Sequence, residues 1–327
     1  MRCEILSDWF TFSVPGEDNP KKVIQEILGM NPELFTQTYG KLRGYYKSLE
    51  YGHIIVGYEA YGIAKGVCVS MSGQGCRTYE NYGDFETLRK KCNTTEGINI
   101  TRWDIACDEK SGVLNMKEMI KLLMAGQLRS HCQRRHLHIE FDGNDTAGST
   151  LYIGSKKSDY FIRIYDKAKK EYDKKKEPEL YNTPWIRVEL VLKKQYAVNA
   201  SAASESSENF FELVAQMING HMAFINLDDS NISRCTTVSW WTEFLESIEK
   251  IKLWSKGAVQ HTFDKCLSWV ADKYAPILAM LYDGLGAPIF RQILIKKGRD
   301  RLSEKHKSLM EDYQKQRTQA LKRRGFA

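Results

Sequence analysis

Three runs decide how this chain is read: Gly148-Ser149-Thr150-Leu151-Tyr152-Ile153-Gly154-Ser155, then Phe161-Ile162-Arg163-Ile164-Tyr165-Asp166-Lys167, then, past a lysine-rich interruption, Trp185-Ile186-Arg187-Val188-Glu189-Leu190-Val191-Leu192. A β-strand sends successive side chains to opposite faces. In the second run Ile162 and Ile164 therefore point one way, and Arg163, Tyr165 and Lys167 the other. In the third, Ile186, Val188, Leu190 and Leu192 share an apolar face and leave Arg187 and Glu189 opposite. The pattern predicts a sheet with one buried face and one face carrying a tyrosine, three cations and a carboxylate.

Outward from these runs, further strands are expected at residues 8–14, 54–57, 66–72, 98–107 and 137–141. Helical spacing of apolar residues predicts helices at 20–30, 85–91 and 115–128, and a glycine-rich segment, Ser72-Gly73-Gln74-Gly75-Cys76, follows one strand. Strands joined by short connections and interleaved with helices argue for an α+β fold, a largely antiparallel sheet with helices packed on one face. A small, polar stretch at 201–207 reads as a loop or boundary, and helices follow at 210–222, 240–254 and 263–282. The expected organisation is an α+β domain over 1–200, a helical region over 201–290 and a basic, amphipathic helical tail over 291–327, with Gly298 as a candidate interruption.

The bulk properties exclude several classes. With 42% hydrophobic and 27% charged residues the composition is that of a folded soluble protein. The N-terminus lacks the apolar core of a signal peptide, and no 18-residue apolar run is read further on, so no membrane association is expected. The eight cysteines are scattered without zinc-ligand spacing and read as reduced core thiols of a cytoplasmic protein. From Arg291 onward twelve Lys/Arg face four Asp/Glu, a local charge of +8 against +7 for the whole, so the preceding 290 residues sum to −1. A positive tail of this kind most often meets nucleic acid.

A phenol among cations suits attack on a phosphodiester. The reaction needs a nucleophile held against the phosphate, an activating base or metal, and positive charge for the pentavalent state. Tyr165 is the candidate nucleophile, with Arg163, Lys167 and Arg187 as its cations and Tyr152 as a rival tyrosine. A structural strand tyrosine with solvated basic neighbours is the competing reading. On the strand through Arg102-Trp103-Asp104-Ile105-Ala106-Cys107-Asp108, Asp104 shares the polar face with Arg102 and Asp108. Asp104 and Glu189 are hard oxygen donors suited to Mg²⁺ or Mn²⁺, and salt bridges to Arg102 or Arg187 are the alternative. His136-Leu137-His138-Ile139-Glu140 aims two imidazoles and a carboxylate at one face; His136, His138, Glu140 and Asp8 are candidates for a third metal ligand.

Taken in order, Asp8-Trp9-Phe10, Ser72-Gly73-Gln74-Gly75-Cys76, Arg102-Trp103-Asp104-Ile105-Ala106-Cys107-Asp108, Thr150-Leu151-Tyr152-Ile153-Gly154-Ser155, Ile162-Arg163-Ile164-Tyr165-Asp166-Lys167, Arg187-Val188-Glu189-Leu190 and Trp240-Trp241-Thr242-Glu243-Phe244-Leu245 resemble the Rep_trans replication-initiation-factor family across roughly residues 5–250. That family comprises rolling-circle plasmid initiators and relaxases of Gram-positive conjugative elements. The resemblance implies a bacterial enzyme that nicks one DNA strand at an origin through a covalent 5′-phosphotyrosine. It places the nucleophile at Tyr165 and a divalent metal at Asp104 and Glu189, and it implies a host helicase and an accessory DNA-binding or processivity protein as partners. General likeness to mobile-element proteins favours relaxase over plasmid initiator. The rival classes are a DNA-binding protein without catalysis, which forms no adduct, and a metal-dependent nuclease, which releases cut DNA free of protein.

Overall fold

The structure, a computed structural model, describes residues 3–142, 145–175, 177–181, 183–206, 210–249 and 263–302, with isolated positions between 306 and 314. The chain divides into two compact units, residues 1–255 and 256–327.

In the first unit the strands are β1 (Cys3–Val14), β2 (Thr36–Tyr39), β3 (Tyr45–Tyr51), β4 (Ile54–Ala60), β5 (Val67–Ser72), β6 (Asn99–Glu109), β7 (Leu128–Ser130), β8 (Arg135–Asp142), β9 (Asp145–Ile153), β10 (Tyr160–Asp166), β11 (Ile186–Lys193) and β12 (Met222–Phe224). The helices are α1 (Pro20–Glu26), α2 (Gly73–Tyr79), α3 (Phe85–Thr94), α4 (Met116–Met124), α5 (Lys167–Lys175), α6 (Pro178–Tyr181), α7 (Gln195–Ser206), α8 (Phe210–His221) and α9 (Ser239–Glu249). Ten strands form one sheet in the order β2-β3-β4-β5-β1-β6-β11-β10-β9-β8, and every pairing in it is antiparallel. The expected α+β architecture is therefore the observed one.

The alternation seen in the sequence sorts the two faces. Phe10, Phe12, Trp103, Ile105, Cys107, Ile162, Ile164, Val188, Leu190 and Leu192 lie in one buried core. Helices cover that side: Trp103 stacks on Phe210 of α8 (centroids 5.7 Å apart), and Ala197, Val214, Ile218 and Phe244 belong to the same core. Burying each large apolar side chain contributes about 1.5–3 kcal/mol, so the helical layer is held mainly by this face.

The expected boundary at 201 is absent. Serine and alanine at 201–206 continue α7 rather than forming a loop, and Ser201 is fully buried. Its carbonyl accepts from the Arg89 guanidinium (2.8 Å), which ties α7 to α3. Small side chains here permit close helix packing, a use that composition alone does not distinguish from a turn.

The second unit holds α10 (Phe263–Phe290), a wider helical turn at Arg291–Lys296, and α11 (Lys297–Arg299). Gly286, at φ 74°, breaks the helical path of α10 just before Pro288, whereas Gly298 lies inside α11. Most of the tail beyond 302 lies outside the described residues. Within Tyr274–Arg299 an 18-residue window reaches mean hydropathy 1.2 and is unburied, so the helix is long and apolar enough to cross a membrane by length and composition alone. An uninterrupted apolar run of that length is still not present in it. Asp283 and Arg291 interrupt the apolar residues in the linear sequence, but their neighbours keep the average high.

Candidate active site

Strand registers set the polar side chains in rows across the sheet. One row runs His138, Thr150, Tyr165, Arg187, Asp108 and Glu4; the next runs His136, Tyr152, Arg163, Glu189 and Ala106. A third runs Phe161, Val191, Asp104, Trp9 and Ser72. Tyr165 thus stands directly opposite Arg187 and one step from the Arg163–Glu189 pair, on the sheet face opposite Ile162 and Ile164, where its buried ring still belongs to the hydrophobic cluster.

Three ion-pair groups occupy this face. Arg187 donates to both oxygens of Asp108 (2.6 and 2.7 Å) and, through Nη1, to Asp8 Oδ1 (2.6 Å). Arg163 Nε donates to Glu189 Oε2 (2.6 Å), and its Nη2 donates to the other oxygen. Arg102 donates to both oxygens of Asp104 (2.8 and 2.6 Å) and lies over the Trp9 ring, 4.2 Å from its centroid. Asp104 and Glu189 are fully buried. Burial, reinforced by the Glu189 charge and opposed by Arg102, pushes the Asp104 carboxyl up to about 6. Burial alone would disfavour the charged forms of Arg163 and Arg187, but their bonds to Glu189 and Asp108 outweigh it and raise both above the ordinary range.

Asp8 reaches Arg187 because of a bulge. Ser7 pairs with Ile105 and Trp9 with Asp104, so β1 spends two residues where β6 spends one, and Asp8 is the extra residue. Bulges re-aim side chains at such positions. Strict alternation with the buried Phe10 and Phe12 would have sent Asp8 to the core. The start of α2 makes room for it: a Cβ on Gly73 would lie 2.5 Å from Asp8 Oδ1.

The Tyr165 ring lies on the polar side, beside the acidic groups, yet only 4% of it is exposed. The Lys170 ammonium of α5 sits 4.6 Å from the ring centroid, and the Arg163 guanidinium 5.7 Å. Burial, then the Glu189 charge, raises the Tyr165 hydroxyl well above the usual range, while Arg187 and Arg163 pull it down. A substrate phosphate must therefore displace Lys170 from the ring or draw it along.

Lys167 departs from its expected place. β10 stops at Asp166, whose Oδ1 accepts from the Lys169 backbone N–H (2.9 Å) and caps the start of α5. Lys167 is then the first helical residue, pairs with Glu171 one turn on, and lies 5.7 Å from the Trp185 ring centroid rather than on the strand face. Lys170, read in the sequence only as part of a lysine cluster, takes the position above Tyr165. Its signal was the spacing from a strand-ending Asp that can cap a helix.

The histidine strand does not join the carboxylates. β8 is the edge strand, and three strand spacings of about 4.8 Å put His136 about 14 Å from Glu189. His138 Nε2 instead lies 3.2 Å from Glu140 Oε1, both exposed. His136, His138 and Glu140 are thereby excluded as third ligands beside Asp104 and Glu189. Among the described residues no group of three metal-ligating side chains occurs. Asp104 and Glu189 have the right chemistry for a hard cation, but both oxygens of each are already engaged by a guanidinium. As arranged, they do not fit a preformed divalent centre.

Comparison with known proteins gives the family and the fold. The family described as Replication initiation factor matches residues 98–304, and the Rolling Circle replication initiation protein N-terminal domain matches residues 4–90. The chain is 28% identical over 313 residues to a Bacillus subtilis (strain 168) protein named "Putative DNA relaxase NicK", covering 89% of this chain and 85% of that one. Its fold resembles the solved rolling circle replication initiator protein of Geobacillus stearothermophilus (TM-score 0.66, 24% identity), over 76% of this chain and 97% of that one.

Proposed function

The chain belongs to the replication initiation factor family and is a DNA nicking-joining enzyme, and from that premise we propose that Tyr165 cuts one DNA strand and keeps its 5′ end. The observation that carries this reading is the row in which Tyr165 faces Arg187, with the Arg163–Glu189 pair one step away. The phenolic oxygen attacks phosphorus, the bond to the 3′ oxygen breaks, and a phosphotyrosine forms. The phenolic proton leaves toward the carboxylate side of the face, where the charges of Glu189 and Asp8 reach the ring. The departing 3′ oxygen takes up a proton to become a hydroxyl. Arg163, Arg187 and Lys170 neutralise the charge that builds on the phosphoryl oxygens. Their low-dielectric setting makes this neutralisation stronger than it would be in water.

The extent of likeness to the Bacillus subtilis protein, along most of both chains, supports relaxase over plasmid initiator. A helicase that unwinds from the nick is the partner that follows from such an activity, with an accessory DNA-binding or processivity protein as a further candidate. DNA as substrate places the protein in the compartment that holds the bacterial chromosome.

The test is a covalent-capture assay with DNA from the gene's own neighbourhood, resolved on a denaturing gel and followed by mapping of the cut. Wild type and Tyr152→Phe should give a protein–DNA adduct, and Tyr165→Phe should give none. An adduct that persists in Tyr165→Phe and vanishes in Tyr152→Phe moves the nucleophile to β9. Cut DNA without adduct identifies a hydrolytic nuclease, and tight binding without cutting identifies a DNA-binding protein.

A further inference from the structure

Where β9 turns into β10 the sheet ends beside a cavity of about 740 Å³ that the cutting chemistry does not use. Tyr160 alternates with Ile162 and Ile164, so its ring lies on the side opposite Tyr165. It packs against His221 with centroids 4.1 Å apart and the rings tilted by 32°, and Tyr196 lies 5.5 Å away, 53% exposed. Tyr160 is pinned by donating to the Met217 carbonyl (2.8 Å), and His221 Nε2 lies 3.3 Å from the Ile153 carbonyl. A fixed aromatic floor with an exposed tyrosine at the rim has the shape and surface of a base-stacking platform.

The rim is basic. Lys193 Nζ donates to the carbonyls of Lys156 (2.8 Å) and Ser158 (3.2 Å), and Lys194 pairs with Asp159 in the cavity wall (3.2 Å). Lys156 reaches over the Tyr152 ring on the polar face (4.0 Å), and Lys193 pairs in register with Arg102 there. Cations thus continue from the Tyr165 face around the sheet end to the cavity mouth. A polyanion on that path would bring bases within reach of Tyr196.

We propose that this cavity receives one unstacked base of the single DNA strand that Tyr165 cuts. The proposal rests on the nicking reading for its register. Five residues of β10 separate Tyr160 from Tyr165, about 17 Å at 3.4 Å per residue. A stacked strand advances about 3.4 Å per nucleotide, and the path must also round the sheet end, so the base lies about five nucleotides or more from the cut. The cavity size falls inside the roughly 300–1,000 Å³ usual for small-ligand sites.

Two measurements test it on the full chain. The first is the affinity of wild type and Tyr196→Ala for single-stranded (dT)20 by fluorescence anisotropy. Stacking on one aromatic ring is worth about 1–3 kcal/mol, so the variant should bind roughly 5- to 140-fold more weakly. The second is a 2-aminopurine scan through an oligonucleotide spanning the mapped cut. One position about five nucleotides or more from the cut should change fluorescence in wild type and not in Tyr196→Ala. Unchanged (dT)20 affinity together with a featureless scan overturns the proposal, and so does an equal response when the oligonucleotide is fully duplex. Adduct formation is followed on the same samples. An adduct without these responses refutes the cavity alone, whereas a (dT)20 effect without any adduct leaves the cavity standing and refutes the nicking reading.

Discussion

Glu189→Gln perturbs the centre of the site with the least change in shape. Glu189 is fully buried and takes both bonds of Arg163, whose side chain is 28% exposed. The amide offers one neutral acceptor where the guanidinium had two charged ones. Stranding a fully buried charge costs about 3–5 kcal/mol. Because Arg163 keeps contact with water, the expected loss is discounted to about 2 kcal/mol. In a folded unit of this size each kcal/mol moves Tm by roughly 2–4 °C, so Glu189→Gln should melt about 4–8 °C below wild type. Calorimetry on wild type, Arg163→Gln, Glu189→Gln and the double variant completes a cycle whose coupling should reach about 1 kcal/mol or more. An unshifted melt, or a cycle that sums to zero, would refute the account of Arg163 as a cation held by Glu189. The same substitution removes a charge that raises both Asp104 and Tyr165, so both should titrate lower.

Asp104 sets a pH dependence of stability. Its ordinary value of 3.8 rises to about 6 in the fold, so the protonated form favours folding. The stabilisation is present below about pH 4 and is lost as pH rises through about 6, a swing of up to about 3 kcal/mol. Melting curves across that window should show the loss in wild type and a flatter profile in Asp104→Asn. Gly73→Ala places a Cβ 2.5 Å from Asp8 Oδ1 and should drive Asp8 off Arg187. Displacements of about 1 Å near reacting groups cost about 10²-fold, so adduct formation should slow markedly, and an unchanged rate would remove Asp8 from the site. Truncation after Pro288 deletes the twelve basic residues of the tail. Duplex affinity should fall, with the log–log salt slope flattening by roughly 0.9 for each phosphate the tail had neutralised; unchanged affinity in low salt would assign the tail to assembly instead.

What the sequence determined by itself was whatever a strand fixes locally. Alternation along 161–166 and 186–192 put Tyr165, Arg163, Arg187 and Glu189 on one face, and the apolar partners of those residues forced that face away from the core. The ordered motifs carried the family, and the fold class followed from strands joined by short connections. Tertiary structure decided the rest. The β1 bulge that turns Asp8 toward Arg187 depends on how β1 pairs with β6, and one extra residue reverses every side chain beyond it. Asp166 ends β10 and starts α5, which takes Lys167 off the strand and brings Lys170 over the tyrosine. Asp104 and Glu189 stood in the sequence as metal donors or salt-bridge partners; Asp104 pairs with Arg102, two residues away on its own strand, whereas Glu189 takes Arg163 from the neighbouring strand, a choice that only the register fixes. Ser201 looked like punctuation until α7 packed against α3, since small residues serve equally in a turn or a close helix contact. Periodicity travels along the backbone and is legible there, whereas strand register, and the charge pairs that it sets between strands, are settled between segments distant in the chain.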